Sequence, residues 1–352
     1  MLAAVPLLLL TGAIVSAIVH SGELSRSLFR LFRLVLLVEA ALLAILAAAG
    51  AIYQATSNAR DQRQYPPPGK LIDVGGYRLH LYCTGEGGPT VVLDYGLSGS
   101  YLDWYFVQPE VARFTRVCSW DRSGYGWSER SPRTQVPSEI STELHTLLQR
   151  AGEKPPFILV GHSLGAFDVR MYAHRYPEQV AGIVLVDGSH PDEEIPFRWR
   201  SRWELRLLQL TAPFGLPRWR GWCAQGPKET RPMKRAFACR SRVFRAHYEQ
   251  WSVFPASAEE VRKLGPLGDL PLVVISRDPN RWSDQSRANS REQRWQELQK
   301  KLAGLSSNST FLVAAGSSHA VGRDRPDVVV EAIRRIVEAA RKKEEHPTTE
   351  DT

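Results

Sequence analysis

Apolar positions fall into two regimes along this chain. Up to residue 53 they form long runs: residues 2–19 carry no charge and are interrupted only by Pro6, and residues 34–53 carry only Glu39. Each run is about long enough as a helix to cross a hydrocarbon core ~30 Å thick. The polar stretch between them holds Arg26, Arg30 and Arg33 against Glu23. Two readings are open: a membrane anchor of one or two helices within residues 1–53, or a signal peptide with residues 34 onward as its apolar core and cleavage near Ala47–Ala49. Residues 54–69, polar and ending in Pro66-Pro67-Pro68-Gly69, read as a stiff extended linker.

From residue 70 the pattern changes to short apolar runs alternating with helical periodicity. Strands are predicted at 71–74, 77–83, 90–94, 116–120, 157–160, 182–186, 272–276 and 310–313. Helices are predicted at 139–151, 166–176, 293–302 and 326–341. Several strands are apolar throughout, as strands covered on both faces must be. The first two, split by Gly75-Gly76, read as a hairpin; the rest fit βαβ units and a mostly parallel sheet. The predicted architecture is an α/β domain over residues 70–341, interrupted by a helical lid at about 189–265 and followed by a solvated tail, 342–352.

Composition changes this picture little. Charged residues are 23% and hydrophobic residues 43%, which excludes wholesale disorder. The net charge of +8, from 45 basic and 37 acidic residues, is concentrated. Between residues 197 and 250 thirteen basic residues face only Glu204, Glu229 and Glu249, so the remainder of the chain is slightly acidic. Trp199, Trp203, Trp219, Trp222 and Trp251 lie in or beside the same segment. Two readings stand: a lid whose aromatics pack over a pocket while its arginines are solvated, or a surface for anionic lipid. No nucleic-acid motif accompanies the charge, so no nucleic-acid partner is expected.

The chemistry is concentrated in Gly161-His162-Ser163-Leu164-Gly165. An apolar strand runs into it and a helix pattern leaves it, the context in which GxSxG presents a nucleophilic serine on a sharp turn. His162 reads as a packing or hydrogen-bonding neighbour. With this elbow, two further segments carry a resemblance. One is Val74-Gly75-Gly76-Tyr77-Arg78-Leu79-His80-Leu81-Tyr82-Cys83-Thr84-Gly85. The other is Trp120-Asp121-Arg122-Ser123-Gly124-Tyr125-Gly126-Trp127-Ser128. Over residues 70–341 the chain resembles the α/β-hydrolase superfamily, particularly a bacterial membrane-anchored or secreted subset.

That resemblance implies a catalytic order of serine, acid, histidine. Ser163 is the expected nucleophile and His319, just past the last core strand, the expected general base; His190 is a lesser candidate. For the acid, Asp278 follows the strand where most members carry it, after a loop shortened to Arg277. Asp187 ends the strand after the elbow helix, where some members, including certain dehalogenases, place theirs. Both remain open, with Asp284 behind them. The oxyanion donors implied are the amides of Leu164 and of Leu97, in a loop whose Tyr95-Gly96 replaces the relatives' His-Gly and so lacks a supporting histidine.

The four cysteines show no metal-binding spacing, and neither metal nor cofactor is expected. Cys223 and Cys239 are expected to pair if the domain is exported, and Cys83 and Cys118 to be buried thiols. The arginine-bearing segment near the N-terminus places the domain on the exoplasmic or periplasmic side of a membrane, or, after cleavage, in secretion. The expected activity is hydrolysis of a carboxylic ester, small or lipid-like, with thioester or amide as lesser options. Perhydrolase (haloperoxidase-like) or carbon–carbon bond hydrolysis on the same triad is the alternative enzyme reading. A non-catalytic membrane-tethered binding module is the alternative outside enzymes.

Overall fold

The computed structural model describes residues 22–193, 199–223, 226–282 and 286–345. Eight strands lie in one sheet: β1 (Lys70–Asp73), β2 (Arg78–Thr84), β3 (Thr90–Asp94), β4 (Val117–Asp121), β5 (Phe157–His162), β6 (Val180–Val186), β7 (Leu272–Arg277) and β8 (Ser309–Ala314). Their order is β1-β2-β4-β3-β5-β6-β7-β8, antiparallel at β1–β2 and β2–β4 and parallel elsewhere. The helices that position the site are α1 (Gly22–Gln64), α2 (Pro137–Ala151), α3 (Gly165–Arg175), α4 (Trp199–Thr211), α5 (Arg231–Ala238), α6 (Ser241–Arg262), α7 (Ser286–Ala303) and α8 (Pro326–Glu345).

The central strands are apolar at successive positions because each face of the sheet has its own core. Val92, Leu159, Ile183, Leu185 and Val274 point to one face, where α2 adds Ile140, Leu144, Leu147 and Leu148 and α3 adds Val169 and Tyr172. Val91, Leu93, Ile158, Val160, Val184, Val186 and Ile275 point to the other, met by Val329, Ile333, Ile336 and Val337 of α8. Because side chains alternate along a strand, these two sets fix the register. All the parallel strands therefore end at one edge, where the loops carrying polar groups collect.

Four expectations need correction. Residues 54–64 are not an extended linker but the last three turns of α1. Alanine, arginine and glutamine there are good helix formers, and docking on the lid supplies what propensity alone does not. The tail expected from residue 342 is likewise helical as far as Glu345. The third concerns the cysteines. Cys83 and Cys118 face each other across the β2–β4 ladder and form a disulfide, as do Cys223 and Cys239.

The fourth is the lid's polarity. Trp203, Trp219 and Trp222 are exposed on its surface, while Arg218 is buried. Arg242 donates inward to the Gly126 carbonyl, and the guanidinium of Arg240 stacks on Trp127 at 4.5 Å. Arg218, Arg240 and Arg242 thus look inward and three tryptophans outward, while Arg202, Arg220, Arg231, Arg235 and Arg245 stay exposed as a solvated basic face would. The apolar run at 2–19 lies outside the described residues. α1 contains a segment, Arg26–Gln64, long and apolar enough to cross a membrane.

Arg218 joins α1 to the lid. It donates to Gln54 (3.1 Å) and Asn58 (2.8 Å) and pairs with Asp61, while Gln54 donates to the Cys239 carbonyl at 2.7 Å. Arg218→Met should strand Asp61 in a half-dry site and cost about 3 kcal/mol of helix–lid docking. Hydrogen exchange should then rise at 54–64 and 212–223 and not in β5 or β6. Unchanged exchange in both segments would show that the contact contributes nothing.

Candidate active site

Ser163 sits on the turn between β5 and α3 with φ of 51°, in the left-handed region that a non-glycine residue adopts only under constraint. Its amide donates to the Val186 carbonyl (3.1 Å), and its own carbonyl accepts from Ser189 (2.9 Å) and Ala166 (3.0 Å). The turn is tight: a Cβ on Gly161 would lie 2.6 Å from the Gly165 carbonyl oxygen, so only glycine fits. These bonds tie the serine to the end of β6, the strand that delivers Asp187.

Asp187 is fully buried, also with positive φ (45°), and receives four hydrogen bonds. Its Oδ2 accepts from His319 Nδ1 at 2.5 Å and from the Arg277 guanidinium at 3.2 Å. Its Oδ1 accepts from Trp295 Nε1 at 2.7 Å and from the Arg277 amide at 3.1 Å. Burial pushes the carboxyl up. The His319 bond and charge, Arg277 and Trp295 outweigh it and hold Asp187 below the usual carboxylate range. With Nδ1 committed to Asp187, the other ring nitrogen of His319, Nε2, is the one left for chemistry.

Asp278 is engaged elsewhere. Its carboxylate accepts from the amides of Gly316 (2.7 Å) and Asn280 (2.8 Å), pinning the base of the loop that carries His319. Asp324 holds the same loop further along, through the amide (2.8 Å) and hydroxyl (2.5 Å) of Ser318. Arg277, which shortened the loop before Asp278, occupies the end of β7 and turns its guanidinium onto Asp187 and Glu292. His190 is likewise committed: its Nδ1 accepts from the Asp192 amide at 3.0 Å. Asp284 lies outside the described residues.

His162 supports His319 from beneath. Its Nε2 donates to the His319 carbonyl at 2.8 Å, and the two rings are 4.8 Å apart. Burial, reinforced by His319, lowers His162 to about 4, so its imidazole is neutral.

The expected oxyanion loop closes over the elbow. A Cβ on Gly96 would fall 2.9 Å from the Ser163 Cβ, so glycine is required for this approach. The Leu97 side chain joins Leu164, Phe167 and Phe254 in one apolar cluster. Neither the Leu97 nor the Leu164 amide donates to another of the described residues. Arg122 supports this loop. This fully buried guanidinium donates to the carbonyls of Tyr95 (2.7 Å) and Gly96 (2.6 Å) and to Asp94 and Asp168 (2.9 Å each). Its own amide donates to the Tyr95 hydroxyl (2.7 Å), and it stacks 4.3 Å from that ring. Burial and the Asp94 charge push the Asp168 carboxyl well above the usual carboxylate range.

A cleft of about 210 Å³ opens beside the site, walled by Leu102, Trp104, Phe106 and His162, with Asp103, Lys234 and Arg323 at its polar side. A larger cavity of about 1050 Å³, lined by Pro156, Val180 and Pro271, lies where the strands begin, at the opposite edge from Ser163. Among the described residues, Cys83, Cys118 and Glu153 are the grouping with metal-ligand atom types close together. Its sulfurs are bonded to each other and Glu153 is paired with Arg116 at 2.7 Å, which leaves no ligand set.

Trp295, Arg277 and Arg122 were not singled out in the sequence. Arg122 had a signal, its place in the Trp120–Ser128 segment; Trp295 had none, being one helix tryptophan among several.

Comparison with known proteins agrees with this geometry. The family described as alpha/beta hydrolase fold matches residues 89–327. YqjL of Bacillus subtilis (strain 168) is 26% identical over 266 residues, covering 75% of this chain and 90% of YqjL. The 2-hydroxymuconate semialdehyde hydrolase of Pseudomonas sp. (strain CF600) is 31% identical over 126 residues, covering 35% of this chain and 44% of that enzyme. Among solved structures, a probable hydrolytic enzyme of Pseudomonas aeruginosa PAO1 superposes with a TM-score of 0.60 at 17% identity, over 77% of this chain and 95% of that one. The chain belongs to the alpha/beta hydrolase fold family and is a hydrolase of that fold.

The neutral His162 makes a pH prediction. Between about 6.5 and about 4 the unfolded chain binds a proton at this position that the folded protein refuses, so stability falls as pH drops through that window. His190 and His247, also held to about 4 chiefly by burial, act in the same direction. In denaturant titrations at pH 7, 6, 5 and 4.5, His162→Gln should remove about one proton from the pH dependence. An unaltered slope would mean that His162 is protonated in the fold.

Proposed function

We propose that the protein is a serine hydrolase cleaving a carboxylic ester through an acyl-enzyme, with thioesters and amides as poorer substrates. The observation that carries this reading is the buried Asp187 carboxylate bonded to the part-exposed His319, at the end of the strand to which the strained Ser163 elbow is tied. Ser163 Oγ attacks the carbonyl carbon while His319 Nε2 takes its proton. The oxyanion is received by the Leu97 and Leu164 amides. Collapse breaks the ester C–O bond, and His319 returns the proton to the departing alkoxide. Water, deprotonated by His319, then releases the acid and restores Ser163. Asp187 holds the imidazole with Nδ1–H inward and balances the imidazolium; Asp278 serves as a loop clamp.

Under this reading, Asp187→Asn lowers kcat on a p-nitrophenyl ester by about 10³–10⁴-fold, whereas Asp278→Asn costs about tenfold or less. Ser163→Ala abolishes turnover. Equal losses at the two aspartates, or turnover surviving Ser163→Ala, would remove the assignment. A milder change tests the oxyanion loop. Arg122→Lys keeps the buried charge but loses the fork onto Tyr95 and Gly96, and should cost about 10–100-fold in kcat with KM nearly unchanged. A loss confined to KM would contradict that positioning role.

A second reading, carbon–carbon bond hydrolysis, is favoured by the likeness to the semialdehyde hydrolase. A substrate panel containing both ester and vinylogous ketone acids separates the two by kcat/KM. α1 is the proposed membrane anchor. The disulfides Cys83–Cys118 and Cys223–Cys239 favour a catalytic domain on the oxidising, exoplasmic side.

A further inference from the structure

The apolar run of α1 ends at Tyr53, yet the helix continues through Gln64 and lies against the lid. Gly50 meets the Phe214 backbone, and Gly215 meets the Tyr53 ring. The point where α1 leaves its apolar stretch is therefore also where the lid begins. Phe214, Trp219 and Trp222 are exposed, and Arg220 stacks over both tryptophans at 5.3 and 5.6 Å. Aromatic rings with an arginine among them beside the end of an apolar helix are the composition of a bilayer–water boundary.

Immediately beyond that level, α1 and α5 enclose a cleft of about 490 Å³. Its cations are Arg60 on α1, Arg231 and Arg235 on α5, and the buried Arg218; among the described residues Asp61 is the one acid lining it. Asp61 is already paired with Arg218, whose other donors go to Gln54 and Asn58. Arg231 donates to the Gly226 carbonyl at 3.0 Å, whereas Arg60 and Arg235 have no hydrogen bond or ion pair among the described residues. Beyond the Asp61–Arg218 pair, three like charges are thus held around one opening with no further acid lining it among the described residues.

The height fits a particular ligand. Arg60 lies seven residues past Tyr53, ~10 Å along the helix axis, within an arginine's reach of the headgroup layer if Tyr53 marks the edge of the hydrocarbon. Tyr53 and Tyr65 border the cleft with polar hydroxyls. Exposed Leu46 and Ile52 on α1 offer an apolar path leading back from the opening.

We propose that this cleft binds the phosphate of an anionic membrane lipid, with Arg60, Arg231 and Arg235 as the recognising cations and the lipid's chains lying along α1. The inference rests on α1 being the membrane anchor, and it adds a lipid site separate from the cleft beside His162. Occupancy would bridge α1 to α5. Because α5 carries Lys234 into the wall of the substrate cleft, the bound lipid would also set the lid's position over the active site.

The test uses the full chain in phosphatidylcholine nanodiscs with and without phosphatidylglycerol. Native mass spectrometry counts retained lipid, and hydrogen exchange follows α5. The wild type should retain phosphatidylglycerol about tenfold over phosphatidylcholine, with α5 protected only when the anionic lipid is present. The double variant Arg60→Gln/Arg235→Gln should lose that preference, while Arg113→Gln, an exposed change far from the cleft, should keep it. Equal retention of both lipids, or a preference that survives the double variant, overturns the proposal. Inorganic phosphate protecting α5 in lipid-free detergent would assign the cleft to a soluble anion and overturn it as well. Release of the chain from native membranes by an alkaline wash would instead strike the anchor reading, so the two failures are distinguishable.

Discussion

The buried carboxylate of Asp187 is the constraint on which the site depends. An ionised carboxylate at zero exposure is tolerated only when its oxygens are satisfied, and here the donors come from three separate elements. The β7 end supplies Arg277 twice, α7 supplies Trp295, and the loop after β8 supplies His319. Moving any of these elements would leave a buried charge short of a partner. The demand of one charge for four hydrogen bonds therefore locks strand ends, helix and loop into the geometry that the imidazole needs.

Arg122 plays the corresponding part on the other side of Ser163. It is a buried cation, balanced by an aspartate pair, and its fork is spent on the two carbonyls that shape the Tyr95–Leu97 turn. Where the resemblance led to the expectation of a histidine beside the glycine, this chain has an arginine from the next strand end. Such a substitution keeps the backbone amides in position while changing the side chain that steadies them. A carboxylate steadies His319 and a guanidinium steadies the Tyr95–Leu97 turn, each desolvated enough to hold its neighbours in one arrangement.

Much of this was legible in the sequence because it is local. The strands read as strands since valine, isoleucine and leucine occupy both faces. The elbow reads as one since glycine, serine and glycine must sit within five residues of a strand end. What was not legible depends on register and tertiary distance. Asp187 and Asp278 follow adjacent strands, and the pairing of Val186 with Ile275 brings both strand ends to one level. Only the direction of each side chain separates an orienting carboxylate from a loop clamp. Cys83 and Cys118 read as thiols on neighbouring strands, and the ladder register makes them direct partners. Residues 54–64 carry no apolar stripe that announces a helix; what holds them is Arg218, 157 residues away from Asp61 in sequence.

The central claim, that Asp187 and not Asp278 orients His319 for proton transfer at Ser163, is open to one direct observation. A proton shared at 2.5 Å between His319 Nδ1 and Asp187 should give a strongly downfield 1H NMR resonance. Assigned by its absence in His319→Gln, the signal is predicted to persist in Asp278→Asn and to vanish in folded Asp187→Asn. A resonance that survives Asp187→Asn, or disappears in Asp278→Asn, would contradict the account.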